Sequence, residues 1–76
     1  MNFNKYKDNS PLTHELFRQD AMQALGLDEK YSLHDWMFNL AWENGHVYGY
    51  EEVFTQLQDL KAMLVKEKNE TNGSFN

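Results

Sequence analysis

The chain contains no cysteine, a single proline, no isoleucine and no long apolar run. Without cysteine, disulfide scaffolds, cysteine-based zinc fingers and thiol catalysis are excluded. No apolar run approaches the roughly 18 residues that suggest a membrane span, and the N-terminus MNFNKYKDNS lacks the apolar region of a signal peptide. These absences predict a soluble, cytoplasmic protein.

Basic residues are also scarce. Seven Lys and Arg stand against 12 Asp and Glu, which gives a formal net charge of −5. A protein that binds nucleic acid backbones needs Lys and Arg to replace phosphate counterions, so this balance argues against direct nucleic acid binding. At 76 residues, the chain is long enough for one small domain and too short for a second core.

The apolar residues that are present favour helices. They include nine Leu, four Met and four Ala but only three Val. Leu, Met and Ala are good helix formers, whereas β-branched residues pack best on sheets. We therefore predict an all-α fold, a small three-helix bundle with flexible N- and C-terminal tails.

Start and stop signals predict where the first helix lies. Ser10 can cap the helix and Pro11 suits its first position, which predicts a helix over 11–25. Gly26 followed by Leu27 fits a Schellman ending with Gly26 in the left-handed conformation.

The later helices have weaker boundary signals. Ser32, with Asp35 as its capping-box partner, predicts the start of a second helix that ends at Gly45. Apolar residues at helical spacing predict a third helix over 49–67. The domain organisation is then a flexible arm over 1–9, a bundle over 10–67 and a disordered tail over 68–76.

The apolar spacing also predicts the core faces. The predicted face of the first helix is Leu12, Leu16, Phe17, Ala21, Ala24 and Leu25. That of the second is Leu33, Trp36, Met37, Leu40 and Ala41, flanked by Phe38 and Trp42. That of the third is Tyr50, Val53, Phe54, Leu57, Leu60 and Leu64.

The stretch between the second and third helices has two interpretations. In the structural one, Gly45 is a left-handed cap, Gly49 allows close approach at the next helix, His46 bonds backbone groups and Tyr50 packs inside. In the functional one, the loop presents His46, Tyr48 and Tyr50 to a ligand. The glycine and helix-boundary signals favour the structural interpretation.

Catalytic and metal motifs give little support for an enzyme. Glu43 and His46 have the Glu-x-x-His spacing of di-iron bundles, but those bundles use two such motifs and further glutamates. The pair stays the candidate for a metal ligand set, and we predict no metal or cofactor. No G-x-S-x-G, Walker A or G-x-G-x-x-G sequence occurs, so we predict that the protein is not an enzyme.

Acidic and aromatic residues concentrate in the second half of the chain. Between Asp28 and Asp59, seven acidic residues face one base, Lys30, so this segment carries −6. Such a face can dock on a basic surface, or it can serve only to keep the protein soluble. Five aromatic residues lie in one window of the same segment: Trp36, Phe38, Trp42, Tyr48 and Tyr50. Trp and Tyr are enriched at interfaces, although the bundle and the arm could also enclose these rings.

One pattern in this segment carries a resemblance. It comprises Ala41, Trp42, Gly45, His46, Gly49, Tyr50, Glu52 and Val53, followed by Leu57, Asp59 and Leu60. It resembles the A-[WY]-x-x-G-H-x-x-G-[YF]-x-E-V signature of small bacteriophage- and prophage-encoded helical proteins, over about residues 31–65. The resemblance implies a phage setting, in the cytoplasm of an infected bacterium. It also implies a mode of action by binding and blocking a host enzyme or defence complex, in some cases by imitating DNA charge.

These observations lead to a functional hypothesis. We expect a small acidic interaction protein that binds and inhibits a host protein with a basic surface, through an acidic face that can resemble DNA. The predicted binding residues are Glu43, Glu51, Glu52, Asp59, Trp42, Tyr48 and Tyr50. The alternatives are a homodimer formed through the surplus apolar surface of the second helix, and a metal or small-molecule site at Glu43 and His46.

Overall fold

The computed structural model describes residues 2–6, 8 and 10–74, with side chains described up to residue 65. Three helices follow a short 3₁₀ turn at Phe3–Lys5: α1 (Pro11–Ala24), α2 (Ser32–Gly45) and α3 (Tyr50–Ser74). The described residues contain no strand. The predicted all-α, three-helix fold is confirmed.

The ends of α1 follow the sequence signals. The Ser10 hydroxyl accepts a hydrogen bond from the Thr13 N–H at 3.2 Å, with Pro11 at the first helical position. At the other end Gly26 has a φ of +68°, and the Leu27 N–H donates to the Met22 carbonyl at 2.8 Å. This is the Schellman ending, so both predicted boundary signals are confirmed.

The start of α2 differs from the prediction. The helix begins at Ser32, but the preceding Tyr31 is the cap residue and no side chain caps the helix. The Asp35 carboxylate instead accepts a hydrogen bond from Arg18, which also donates to Glu29 at 3.0 Å. The predicted capping box is therefore wrong, because the positively charged Arg18 guanidinium attracts the Asp35 carboxylate more strongly than a single backbone N–H does.

The third helix is longer than predicted. It ends at Ser74 rather than 67, so the backbone of 68–74 continues α3 where we expected a disordered tail. Residues 68–72 contain neither proline nor glycine, so no strong helix breaker stops the helix there. Residues 75 and 76 lie outside the described part of the chain.

The core lies where α2 and α3 pack together, with α1 closing it. The buried apolar residues are Tyr6, Phe17, Ala21, Met22, Leu27, Met37, Phe38, Ala41, Val53 and Leu57. Several predicted core residues are exposed, which corrects the predicted stripes: Leu12, Leu16, Ala24, Leu33, Trp36 and Leu64. On α1, the packed face is centred on Phe17 and Ala21, and Met22 lies beside them. Helical spacing alone therefore assigned more residues to the buried faces of the helices than the core contains.

The N-terminal arm, predicted to be flexible, is packed on the bundle in its described part. Tyr6 is only 4% exposed, and its hydroxyl donates to the Asp20 carboxylate at 2.5 Å. Lys5 pairs with the same carboxylate at 2.9 Å. The bond from Tyr6, together with Lys5, lowers the pKa of Asp20, while burial raises the pKa of the Tyr6 hydroxyl. The arm is fixed because the Tyr6 ring fills space in the core that the three helices leave open.

None of the helices in the described part of the chain combines the length and the apolar character that crossing a membrane requires.

Candidate functional site

The corner between α2 and α3 depends on two glycines with different roles. A Cβ on Gly45 would lie 2.8 Å from the Val53 backbone nitrogen, so the absent side chain lets the helices touch. Gly49 has a φ of +116° and nothing within 4 Å of such a Cβ. The predicted roles are therefore reversed: Gly45 allows the close approach and Gly49 makes the turn. Gly45 lies in the contact between α2 and α3, and the chain turns only after it, at Gly49.

Part of the signature between Ala41 and Val53 has a structural role. Ala41, Gly45 and Val53 are buried where α2 meets α3. Small residues at this contact let two backbones approach closely, so these positions set the angle of the corner. Three further signature residues, Trp42, His46 and Tyr50, reach the surface beside it.

Trp42 is the centre of an aromatic row along α2 that runs from the buried Phe38 to the exposed His46. Its ring is nearly parallel to those of Phe38 and His46, one turn away on either side, with interplanar angles of 20° and 14°. His14 of α1 meets the Trp42 ring edge-on, with centroids 4.1 Å apart. The row exists because i and i+4 positions share one face of a helix.

His46 and Tyr50 each form a hydrogen bond to a backbone carbonyl at the corner. His46 Nδ1 lies 2.8 Å from the Trp42 carbonyl oxygen, which agrees with the prediction that His46 bonds backbone groups. The half-buried Tyr50 donates its hydroxyl to the Asp8 carbonyl at 3.3 Å, and its ring packs on Phe17. Burial, and to a lesser degree the charge of Asp8, raises the pKa of Tyr50. Tyr48 projects beside them and is 80% exposed.

Two adjoining clefts open at this corner. The arm cleft, of about 370 Å³, is lined by Phe3, Tyr6, Trp42, His46, Tyr48, Gly49, Tyr50 and Glu51. The α1 cleft, of about 670 Å³, is lined by Pro11, His14, Glu15, Trp42, His46 and Tyr50. Trp42, His46 and Tyr50 border both. We call the residues that line either cleft, together with Glu43, the corner surface.

The structure brings some of the predicted binding residues together and leaves others apart. Trp42, Tyr48, Tyr50 and Glu51 line one cleft. Glu43 and Asp59 are exposed but line neither cleft. Glu52 is half-buried and accepts a hydrogen bond from the Gln56 amide at 3.0 Å.

The acidic segment is partly neutralised by α1. Glu29 and Asp35 both pair with Arg18, whose side chain is 18% exposed. Two of the seven acidic residues therefore serve the fold rather than a free negative face. Of the five acidic residues without such a pairing, Asp28 lies between α1 and α2, and the other four lie on α3 or at the end of α2. The acidic face is therefore narrower than sequence alone predicted.

No metal ligand set forms among the residues that the structure describes. Nowhere there do three or more His, Asp or Glu side chains come together in a way that could hold an ion. Glu43 and His46 therefore have no third ligand of these types. Coordination by only two side chains is poor for the metals that proteins bind through His and Glu.

Several lining residues were missed by sequence reasoning. Phe3, Pro11, His14 and Glu15 come from the arm and α1, far from the signature in sequence. The aromatic residues Phe3 and Tyr6 in an otherwise polar arm are the one sequence signal that could have indicated them. His14 carries no such signal, because its role depends on where Trp42 lies.

Comparison with known proteins places this architecture in a family. No curated protein and no solved structure matches the chain. One family model matches residues 2–66, which include the packed arm, the corner and the described side chains of α3. The chain therefore belongs to the family of unknown function DUF8546.

Proposed function

We propose that this protein is a binding module whose corner surface docks on a basic partner protein. The observation that carries the proposal is the pair of adjoining aromatic clefts bordered by Glu15 and Glu51. Among the described residues that line them, none is Lys or Arg. Aromatic side chains supply most of the affinity at many interfaces, and carboxylates around them guide a basic partner into place.

The aromatic and the acidic residues of the proposed binding set have different roles. Tyr48, Trp42 and Tyr50 are the anchors, since their rings face the clefts. Glu43, Glu51, Glu52 and Asp59 accelerate and orient docking by their charge. The resemblance to small phage proteins supports a host protein as the partner, inhibited when its basic surface is covered.

Neutralisation of the four acidic side chains among the predicted binding residues is expected to weaken capture of the partner. The test variant combines Glu43→Gln, Glu51→Gln, Glu52→Gln and Asp59→Asn. It is used with the wild-type protein as immobilised bait in a bacterial lysate, at low and high salt. We expect a salt-sensitive partner whose affinity falls about tenfold or more, because attraction between complementary charges is lost.

A matched control changes the net charge equally but elsewhere. The control variant adds four lysines at exposed uncharged positions away from both clefts: Gln23, Ala24, Ser32 and Val65. Both variants change the net charge from −5 to −1, since four charges are removed or added. Equal loss of binding in both would contradict a local docking surface. If the purified partner keeps its full activity when bound, the inhibitory role is wrong.

Self-association is the second function that an observation supports. Trp36 is 57% exposed, and Leu33 and Leu64 are more than a third exposed. From the Gly45–Val53 contact, Leu33 lies about three turns back on α2 and Leu64 about three turns forward on α3. The two leucines therefore lie at about the same distance from the corner, and exposed apolar side chains at that end of the hairpin would suit a second copy.

Sedimentation velocity tests this second proposal. At tens of micromolar we expect a dimer, and Trp36→Glu should convert it to monomer because a charge would be buried at the interface. Tyr48→Ala, at the other end of the hairpin, should leave the dimer intact. A wild-type monomer at that concentration would remove self-association as a function.

A further inference from the structure

We propose that the arm cleft is the seat for an arginine side chain of the partner. This inference rests on the proposed function and names the chemistry that its site recognises. The cleft combines five aromatic rings and the His46 imidazole with one carboxylate, Glu51. A cleft of this composition suits a flat cation better than an anion or a polar neutral group.

The ring lining matches the properties of a guanidinium. A guanidinium is planar and weakly hydrated, so it stacks on aromatic faces at little desolvation cost. An ammonium ion is compact and strongly hydrated, and it cannot stack. The exposed Tyr48 ring and the exposed His46 ring, which lies nearly parallel to Trp42, offer flat surfaces for such stacking.

The protein already places its own cations against its rings. The Arg18 guanidinium carbon lies 5.8 Å from the Phe38 ring centroid. Lys5 Nζ lies 5.4 Å from the Tyr6 centroid, on a residue that lines the arm cleft, and its charge is matched by Asp20 at 2.9 Å. These distances are in the range where a ring attracts a cation.

The local charge favours the same ligand. Glu51 lines the arm cleft and Glu15 lines the adjoining α1 cleft. Neither glutamate forms an ion pair with a base at the corner among the described residues; the 3.7 Å pairing of Glu15 is with Arg18 on its own helix. A carboxylate beside stacked rings can accept the guanidinium N–H groups, which gives arginine both contacts at once.

The test is a titration of the purified protein with three short Gly–Ser peptides that differ at one central residue. The residue is arginine, lysine or citrulline, which is the neutral isostere of arginine. The two indole N–H signals in a ¹⁵N spectrum report the site, because Trp42 lines the cleft and Trp36 lies outside it. We expect the Trp42 signal to shift with arginine, about five- to tenfold more weakly with lysine and not with citrulline, while Trp36 stays unchanged.

A variant pair separates the cleft from net charge. Glu51→Gln should weaken arginine peptide binding about fivefold, since the carboxylate contact is lost. Asp28→Asn removes the same charge at an exposed position outside the cleft and should leave binding unchanged. Trp36→Phe assigns the two indole signals.

Several outcomes would overturn the inference. Equal shifts of the Trp42 signal with the arginine and citrulline peptides would show that the cleft does not recognise the positive charge. Equal affinity for the arginine and lysine peptides would show that stacking of the guanidinium does not contribute to binding. Free arginine amide that binds as tightly as the peptide would make the ligand a small molecule rather than a partner's side chain. If these tests fail while partner capture still depends on the four acidic binding residues, the proposed function stands without this inference. If capture fails and the arginine peptide binds, the cleft recognises arginine, but the proposed docking on a partner protein is wrong.

Discussion

Gly45→Ala is expected to lower the free energy of unfolding by about 2–3 kcal/mol. The added Cβ would lie 2.8–3.0 Å from backbone atoms of Glu52 and Val53, so no side-chain rotation can make room. The helices would have to separate, which opens the core beside Ala41 and Val53. A domain of 76 residues is stable by only about 4–11 kcal/mol, so this loss is a large share.

The sign of the effect distinguishes this explanation from a simpler one. At an open helical position, alanine in place of glycine would raise stability by about 1 kcal/mol through helix propensity. Urea denaturation followed by circular dichroism measures the change, with Asn44→Ala as the exposed neighbour that should shift stability by less than about 0.5 kcal/mol. An unchanged or higher midpoint for Gly45→Ala would contradict the close helix contact. Because the corner surface depends on that contact, partner binding should fall together with stability.

Tyr48→Ala is expected to weaken partner binding about 30-fold while stability stays within about 0.5 kcal/mol of the wild-type value. The ring is 80% exposed, so its removal leaves no cavity in the core. At an interface the same ring would be buried against the partner, and truncation of such an anchor typically costs 2 kcal/mol or more. Isothermal titration against the captured partner measures the loss.

Two controls accompany this variant. Tyr48→Phe keeps the ring and should retain most of the affinity. Val47→Ala removes an apolar side chain that is 76% exposed in the same turn, outside both clefts, and should have a small effect. If Tyr48→Ala binds like the wild type, Tyr48 is not an anchor, and only Trp42 and Tyr50 would remain as proposed anchors.

The tertiary structure changes how the acidic segment is understood. Sequence placed −6 between Asp28 and Asp59, as if all seven acidic residues shared one surface. Arg18 of α1 forms ion pairs with Glu29 and Asp35 near the start of α2. The unpaired charge is thus weighted toward the corner and α3, which supports docking by a localised patch over one extended face.

The arm shows why local reasoning could not complete the site. A short polar segment with two aromatic residues predicts flexibility, since it has no periodic apolar face of its own. Its packing depends on Phe17 and Tyr50, against whose rings Tyr6 lies with centroids 5.3 and 5.4 Å away. That pocket is formed by two helices that are distant in sequence. No property of residues 2–6 alone encodes it.

The sequence by itself determined the features that depend on near neighbours. The helix-forming composition, the Ser10 cap and the Gly26 ending all follow from interactions within about one helical turn. Only the tertiary structure decided the face of α1 that is buried, the partner of Asp35 and the different tasks of Gly45 and Gly49. It also decided that Phe3 and His14 join Trp42 around the clefts. These outcomes depend on how closely α2 and α3 approach and on what space remains, which no local pattern of residues specifies.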